Sequence, residues 1–73
     1  MPSLMDGMRG IVAKNLLRLR HEKGWSQEEL SFRAKVDRSY VSQIETSSYS
    51  ASVTMLGKLA KALGVDADEL LKR

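Results

Sequence analysis

The chain has 73 residues, 12 Lys and Arg against 9 Asp and Glu, one His and no Cys. That length makes one small domain, which buries only about 60% of its unfolded surface and so gains from dimerisation. The absence of cysteine excludes a disulfide framework, thiolate chemistry and a His/Cys zinc site. No run approaches the ~18 apolar residues of a membrane span, and MPSLMDGMRG is too polar for a secretory segment. A soluble cytoplasmic protein without a cofactor is expected.

In chain order, residues 1–9 show no sustained period and read as an N-terminal arm, disordered or loosely docked. In a second reading, Leu4, Met5 and Met8 cover a partner subunit. The domain proper is 10–73. Its first helix runs from Arg9 or Ile11 to Lys23, with Val12, Leu16 and Leu19 as the buried stripe and Gly24 as the stop. Leu17 lies off that stripe; Arg20 borders it. Trp25 precedes an N-cap, the position of a hydrophobic staple, and Ser26 with Glu29 spells a capping box. A second helix spans Gln27 to Ala34. The corner Lys35-Val36-Asp37 follows, and Asp37 caps a third helix from Arg38 to Glu45. After the loop TSSYSA, Ser52 caps a fourth helix from Val53 to Leu63, with Val53, Leu56, Leu59, Ala60 and Leu63 as its stripe and Gly64 as its end. A fifth helix is expected after Asp66, with Asp66 and Glu69 as another capping box. Val65, Leu70 and Leu71 close the core, with one of the two leucines left over for a partner.

The second and third helices are a pair whose apolar residues are Leu30, Ala34, Val36, Val41 and Ile44. At about 100° per residue, Arg38, Ser39, Ser42 and Gln43 fall within roughly 140° of one another, opposite Val41 and Ile44. That arc offers one guanidinium, two hydroxyls and one carboxamide, and no carboxylate. These groups can pair with base edges in a DNA major groove, and they equally suit a solvated helix face. The basic residues crowd the first half of the chain, which suits a polyanionic partner without requiring one.

The segment QEELSFRAKVDRSYVSQIET, with LRLRHEKGWSQEEL before it and VTMLGKLAKALGV after it, resembles the helix-turn-helix of the lambda-type phage repressor and Cro (XRE-like) family of small bacterial transcriptional regulators. The resemblance covers about residues 11 to 71. It implies an all-α, compact, five-helix lambda-repressor-like domain. The third helix would lie in the major groove, with Arg38, Ser39, Ser42 and Gln43 as base-reading residues. For Ser42 a second reading stands, a group small enough to fit the groove. Phosphate contacts are expected from Gln27 at a helix N-terminus, Lys35, Tyr40, Ser48 and Tyr49. The family's matching arginine and glutamate pair structurally, here Arg20 with Glu45. Its dimer seam implies Val65, Leu70 and Leu71. Three departures stand out. Lys35 occupies a place where the family usually has a positive-φ glycine, Ser31 replaces a preferred alanine, and the loop lacks a glycine near Ser47 and basic residues near Ser48 and Tyr49.

The expected function is a homodimeric, sequence-specific DNA-binding regulator acting on a near-palindromic operator. The alternative is a helical protein-interaction module, an antagonist or antitoxin-like subunit, that keeps the fold with weak or no DNA binding. The uncharged loop and Lys35 motivate it. An enzyme is the least expected class. No histidine sits plausibly beside a serine or threonine, no glycine-rich loop resembles a phosphate cradle, and no carboxylate pair has catalytic spacing. No membrane and no small-molecule ligand is implied.

Overall fold

Capping residues set where most of the helices begin. In the computed structural model, which describes residues 4–48 and 51–73 and side chains from residue 8 onward, α1 spans Leu4–Lys23, α2 Gln27–Ala34, α3 Arg38–Glu45 and α4 Val53–Leu63. A single 3-10 turn, Ala67–Leu70, follows. Ser26 Oγ accepts from the Glu29 N–H at 3.0 Å, Asp37 Oδ1 from the Ser39 N–H at 2.9 Å, and Ser52 Oγ from the Met55 N–H at 3.1 Å. Each supplies a partner to an N–H that the helix itself leaves unpaired.

The four helix ends share one construction. The N–H two residues past the end of α1, α2 and α4, and three past the end of α3, reaches back five residues: Trp25 to Arg20 O, Val36 to Ser31 O, Ser48 to Gln43 O and Val65 to Ala60 O. This is the Schellman closure, which needs a left-handed residue just before the reaching N–H. That residue is Gly24 (φ 71), Lys35 (φ 58), Ser47 (φ 62) and Gly64 (φ 73). The turn therefore keeps its geometry at both places where glycine is missing.

One core joins all the elements. Leu16 of α1, Leu30 of α2, Val41 and Ile44 of α3, Leu59 and Leu63 of α4, and Leu70 are almost wholly inaccessible. α3 packs against α1 and α2, α2 against α4, and the 3-10 turn against α4 and α1. Ser31 is buried in this arrangement, and its hydroxyl donates to Glu28 O at 2.8 Å, so the serine fits without an unmet polar group.

Five expectations need correction. α1 starts at Leu4, so residues 4–9 are helix rather than arm; once formed, a helix propagates through Gly7 and Gly10 for about 1 kcal/mol each. Residues 1–3 lie outside the described residues. The fifth element is a four-residue 3-10 turn, not an α-helix, so the architecture is four α-helices plus that turn. Asp66 makes no side-chain cap bond there, and the Glu69 carboxylate accepts from Lys72 Nζ instead. Val53 keeps the direction of the α4 stripe but is 86% exposed. Leu70, expected at a dimer seam, has no accessible surface in the single chain and is a core residue.

Candidate nucleic-acid interface

The outward face of α3 follows from its inward one. Val41 and Ile44, at 0% and 1% exposure, fix the helix against the core. Rotation by about 100° per residue then turns Arg38, Ser39 and Gln43 to solvent, and all three are exposed. Ser42, within the same arc, is half-buried; Tyr40 is 38% exposed. The helix starts on Asp37, whose carboxylate accepts from both the backbone N–H (2.9 Å) and the hydroxyl (2.8 Å) of Ser39. These two bonds, the backbone one foremost, hold the Asp37 carboxyl below its ordinary value of 3.8. They also assign Ser39 a role. Its hydroxyl hydrogen is committed to Asp37, so its free capacity is that of an acceptor.

The far end of α3 is held by a buried network. Arg20 Nε donates to Glu45 Oε2 at 2.7 Å, Nη2 to Glu45 Oε1 at 3.0 Å and Nη1 to Trp25 O at 2.8 Å. The two side chains are only 10% and 5% exposed. Gln27 joins them, its amide donating to Glu45 Oε1 at 3.0 Å. One carboxylate thus ties α1, the α1–α2 turn and the start of α2 to the end of α3. Gln27, expected as a phosphate contact, has one amide hydrogen engaged and a second to spare.

Around this face stand the remaining predicted contacts. Lys35 is exposed at the α2–α3 corner, immediately before the α3 entry. Ser48 is exposed too, and its hydroxyl lies 2.7 Å from Thr46 Oγ1, which itself donates to Ser42 O. The loop after α3 therefore presents neutral oxygens that bond among themselves. Tyr49 lies outside the described residues. Among the residues expected at a dimer seam, Leu71 is 37% exposed and Val65 is half-buried against the core.

Sequence reasoning missed three features. Asn15 is buried, and its amide donates to Leu70 O at 3.0 Å and Lys72 O at 2.6 Å, which pins the chain's last turn to α1. A polar residue between Val12 and Leu16 on a buried stripe was the available signal. The second is the Arg33 guanidinium, 4.3 Å above the ring centroid of Trp25, which itself packs on the core as a staple residue should. The third is a cluster of lysines between α2 and α4. No group of His, Cys, Asp or Glu that could hold a metal ion exists among the described residues, nor any helix long and apolar enough to cross a membrane.

Comparison with known proteins agrees with this geometry. A family model described as helix-turn-helix matches residues 16–70. A "hypothetical transcription factor" of Neisseria meningitidis is 42% identical over 64 residues, 88% of this chain and 60% of that protein. This chain therefore spans less than two thirds of that relative. The Neisseria factor's crystal structure superposes with a TM-score of 0.86, covering 89% of this chain and 75% of the other. The restriction-modification controller protein C.AhdI of Aeromonas hydrophila matches at 39% identity and TM-score 0.82, over 85% of this chain and 94% of that one. The control protein C.BamHI of Bacillus amyloliquefaciens is 32% identical over 69 residues, 93% of this chain and 85% of that protein. The chain belongs to the helix-turn-helix family of lambda-repressor and Cro (XRE) type.

Proposed function

We propose that this protein is a sequence-specific DNA-binding transcriptional regulator that acts as a homodimer on a near-palindromic operator. The observation that carries the reading is the division of α3: two apolar residues sealed beneath, and Arg38, Ser39 and Gln43 turned to solvent with no carboxylate among them. In the major groove, Arg38 takes guanine O6 and N7, and Gln43 takes adenine N6 and N7. Ser39, an acceptor by virtue of Asp37, suits an adenine or cytosine amino group. Ser42, half-buried between Arg38 and Ser39 on the same arc, either touches a base or simply lets the helix seat.

Backbone phosphates fix the register. Gln27 donates its second amide hydrogen, Lys35 supplies charge, and Tyr40, Ser48 and Tyr49 supply hydroxyls. The dimer seam uses Val65 and Leu71, and half-sites one turn of duplex apart require two α3 helices about 34–36 Å from each other. That relatives include restriction-modification controller proteins supports a regulatory role.

The test is selection of bound duplexes from a random pool, with sedimentation of the complex alongside. The expected result is a two-fold symmetric consensus with two chains bound. A pool that returns no consensus overturns the reading. The neutral loop after α3 favours one competitor, a protein-binding module on the same fold. Absence of any gel retardation on random duplex at low salt would select it.

A further inference from the structure

Between the end of α2 and the middle of α4 lies a cleft of about 440 Å³ lined by Arg33, Ala34, Lys35, Lys58, Lys61 and Ala62. Four of the six are cations and none is a carboxylate. Lys58 and Lys61 sit three residues apart on one helix, where like charges face each other and repel. The positions four residues before and after them, Thr54 and Ala62, Gly57 and Val65, offer no carboxylate relief. Among the described residues, Lys35, Lys58 and Lys61 enter no ion pair, whereas Arg33 is shared with Glu29 at 2.9 Å. Lys61 lies in the last turn of α4, where a cation suits the helix dipole; Lys58 has no such reason. Lys35 reaches this cleft from a left-handed backbone position that glycine fills more easily.

A cluster that repels itself, gathered from two helices and a strained corner around one hollow, lowers its energy when an anion enters. The two alanines make the floor apolar and leave room, and the volume is within the range of small-ligand sites. We propose that this cleft is a binding site for a phosphate-bearing anion, held by Lys35, Lys58 and Lys61 with the Arg33 guanidinium at its edge. The site does not require base reading by α3, although Lys35 lies three residues before Arg38 and joins the two surfaces. The phosphate comes either from the backbone of a duplex that extends past the α3 contact or from a free polyphosphate or phosphorylated solute.

The experiment uses the full chain, isotope-labelled, in two arms. In the first, amide shifts are followed as inorganic tripolyphosphate is added at low salt. The expected shifts concentrate at residues 33–35 and 58–62 and saturate at one equivalent. Lys58→Gln/Lys61→Gln, two exposed positions whose melting is checked to match the wild type, is expected to weaken that binding at least tenfold. The control Lys14→Gln/Arg73→Gln, which removes the same charge elsewhere, leaves it within about twofold. In the second arm, the slope of log affinity for a long duplex against log salt is measured. A slope smaller by between one and two in the cleft variant, at about 0.9 per lost phosphate contact, assigns the anion to DNA; an unchanged slope with lost tripolyphosphate binding assigns it to a free ligand. Neither affinity nor slope changing, or the control losing as much as the cleft variant, overturns the proposal. Tripolyphosphate binding without duplex binding leaves the cleft standing and removes the regulator reading; a consensus operator with an inert cleft does the reverse.

Discussion

The Arg20–Glu45 network makes the sharpest prediction. Arg20→Ala deletes three hydrogen bonds at once and leaves the Glu45 carboxylate, 5% exposed, with Gln27 as its remaining protein partner. It also strips Trp25 O of its donor. Removing one member of a buried pair costs about 3–5 kcal/mol, and the surviving Gln27 bond places this case near the lower end. At about 3 kcal/mol the loss is a large part of the roughly 4–11 kcal/mol that a chain of this size has in total. Since 1 kcal/mol shifts the midpoint of a small domain by about 4–8 °C, melting should fall by roughly 12–24 °C.

Far-UV circular dichroism melts measure this directly, and Arg18→Ala is the internal comparison. Arg18 also meets a glutamate, Glu22, at 3.2 Å, but those side chains are 46% and 59% exposed. Such a surface pair contributes no more than about 1 kcal/mol. If Arg20→Ala melts within ~4 °C of the wild type, or no lower than Arg18→Ala, the reasoning from burial is refuted. A second variant separates packing from charge. Arg20→Met/Glu45→Met replaces both ions with apolar groups, so it should melt above either single methionine variant.

On operator DNA, Arg38→Ala should cost about 1–3 kcal/mol and relax preference at one base pair per half-site; equal weakening on every sequence would mean that Arg38 touches only phosphate. Asn15→Ala leaves Leu70 O and Lys72 O without their donor, and should cost about 1–3 kcal/mol with hydrogen exchange accelerating first around the 3-10 turn. The Asp37 carboxyl is held low in the folded state, so its contribution is full above the unfolded value near 3.8 and disappears as pH falls through the folded one. Asp37→Ala should therefore melt lower than the wild type at neutral pH and converge with it in strong acid, while Asp37→Asn, an equally good cap, shows little of that pH dependence. Lys35→Gly and Ser47→Gly should each stabilise the fold by about 1 kcal/mol in denaturant titration, because both relieve a left-handed backbone; stability lost in either variant would place the strain elsewhere.

The legible parts of this molecule are those with local causes. Ser26, Asp37 and Ser52 each bond the N–H that their position in the sequence implies, and Gly24 and Gly64 close helices because positive φ costs glycine nothing. The outward face of α3 was legible for the same reason, since 3.6 residues per turn is local geometry. What the sequence hid depends on neighbours remote along the chain. Whether Leu70 or Leu71 enters the core is decided by where the last turn meets α1 and α4, and Asn15 decides that through two carbonyls no pattern announces. Gln27 looks like a free first-turn residue until Glu45 is beside it. Lys58 and Lys61 read as a solvated face until α2 brings Arg33 and Lys35 to the same cleft.

Among the described residues, the two non-glycine left-handed positions bracket α3, one at each end. Left-handed backbone outside glycine persists only where its surroundings over-determine it, and here they do. Asp37 fixes the first turn of α3, Val41 and Ile44 fix its rotation, and Arg20 with Gln27 fixes its last residue. A helix held at both ends and along one side has little freedom left to lose when it meets a partner, so the ordering cost of binding is small. The same restraint divides the work among residues. Arg38 and Gln43 take no part in these restraints, so under the proposed function their substitution changes what the face prefers while leaving what holds it, whereas Ser39 also bonds the Asp37 cap. The loop after α3 offers hydroxyls and no charge, so under the proposed function the electrostatic share of affinity falls to Lys35 and the lysines behind it. A side chain at position 35 is thus worth its strained backbone only if the anion it faces is real, which is why stability and anion affinity should move in opposite directions when Lys35 becomes glycine.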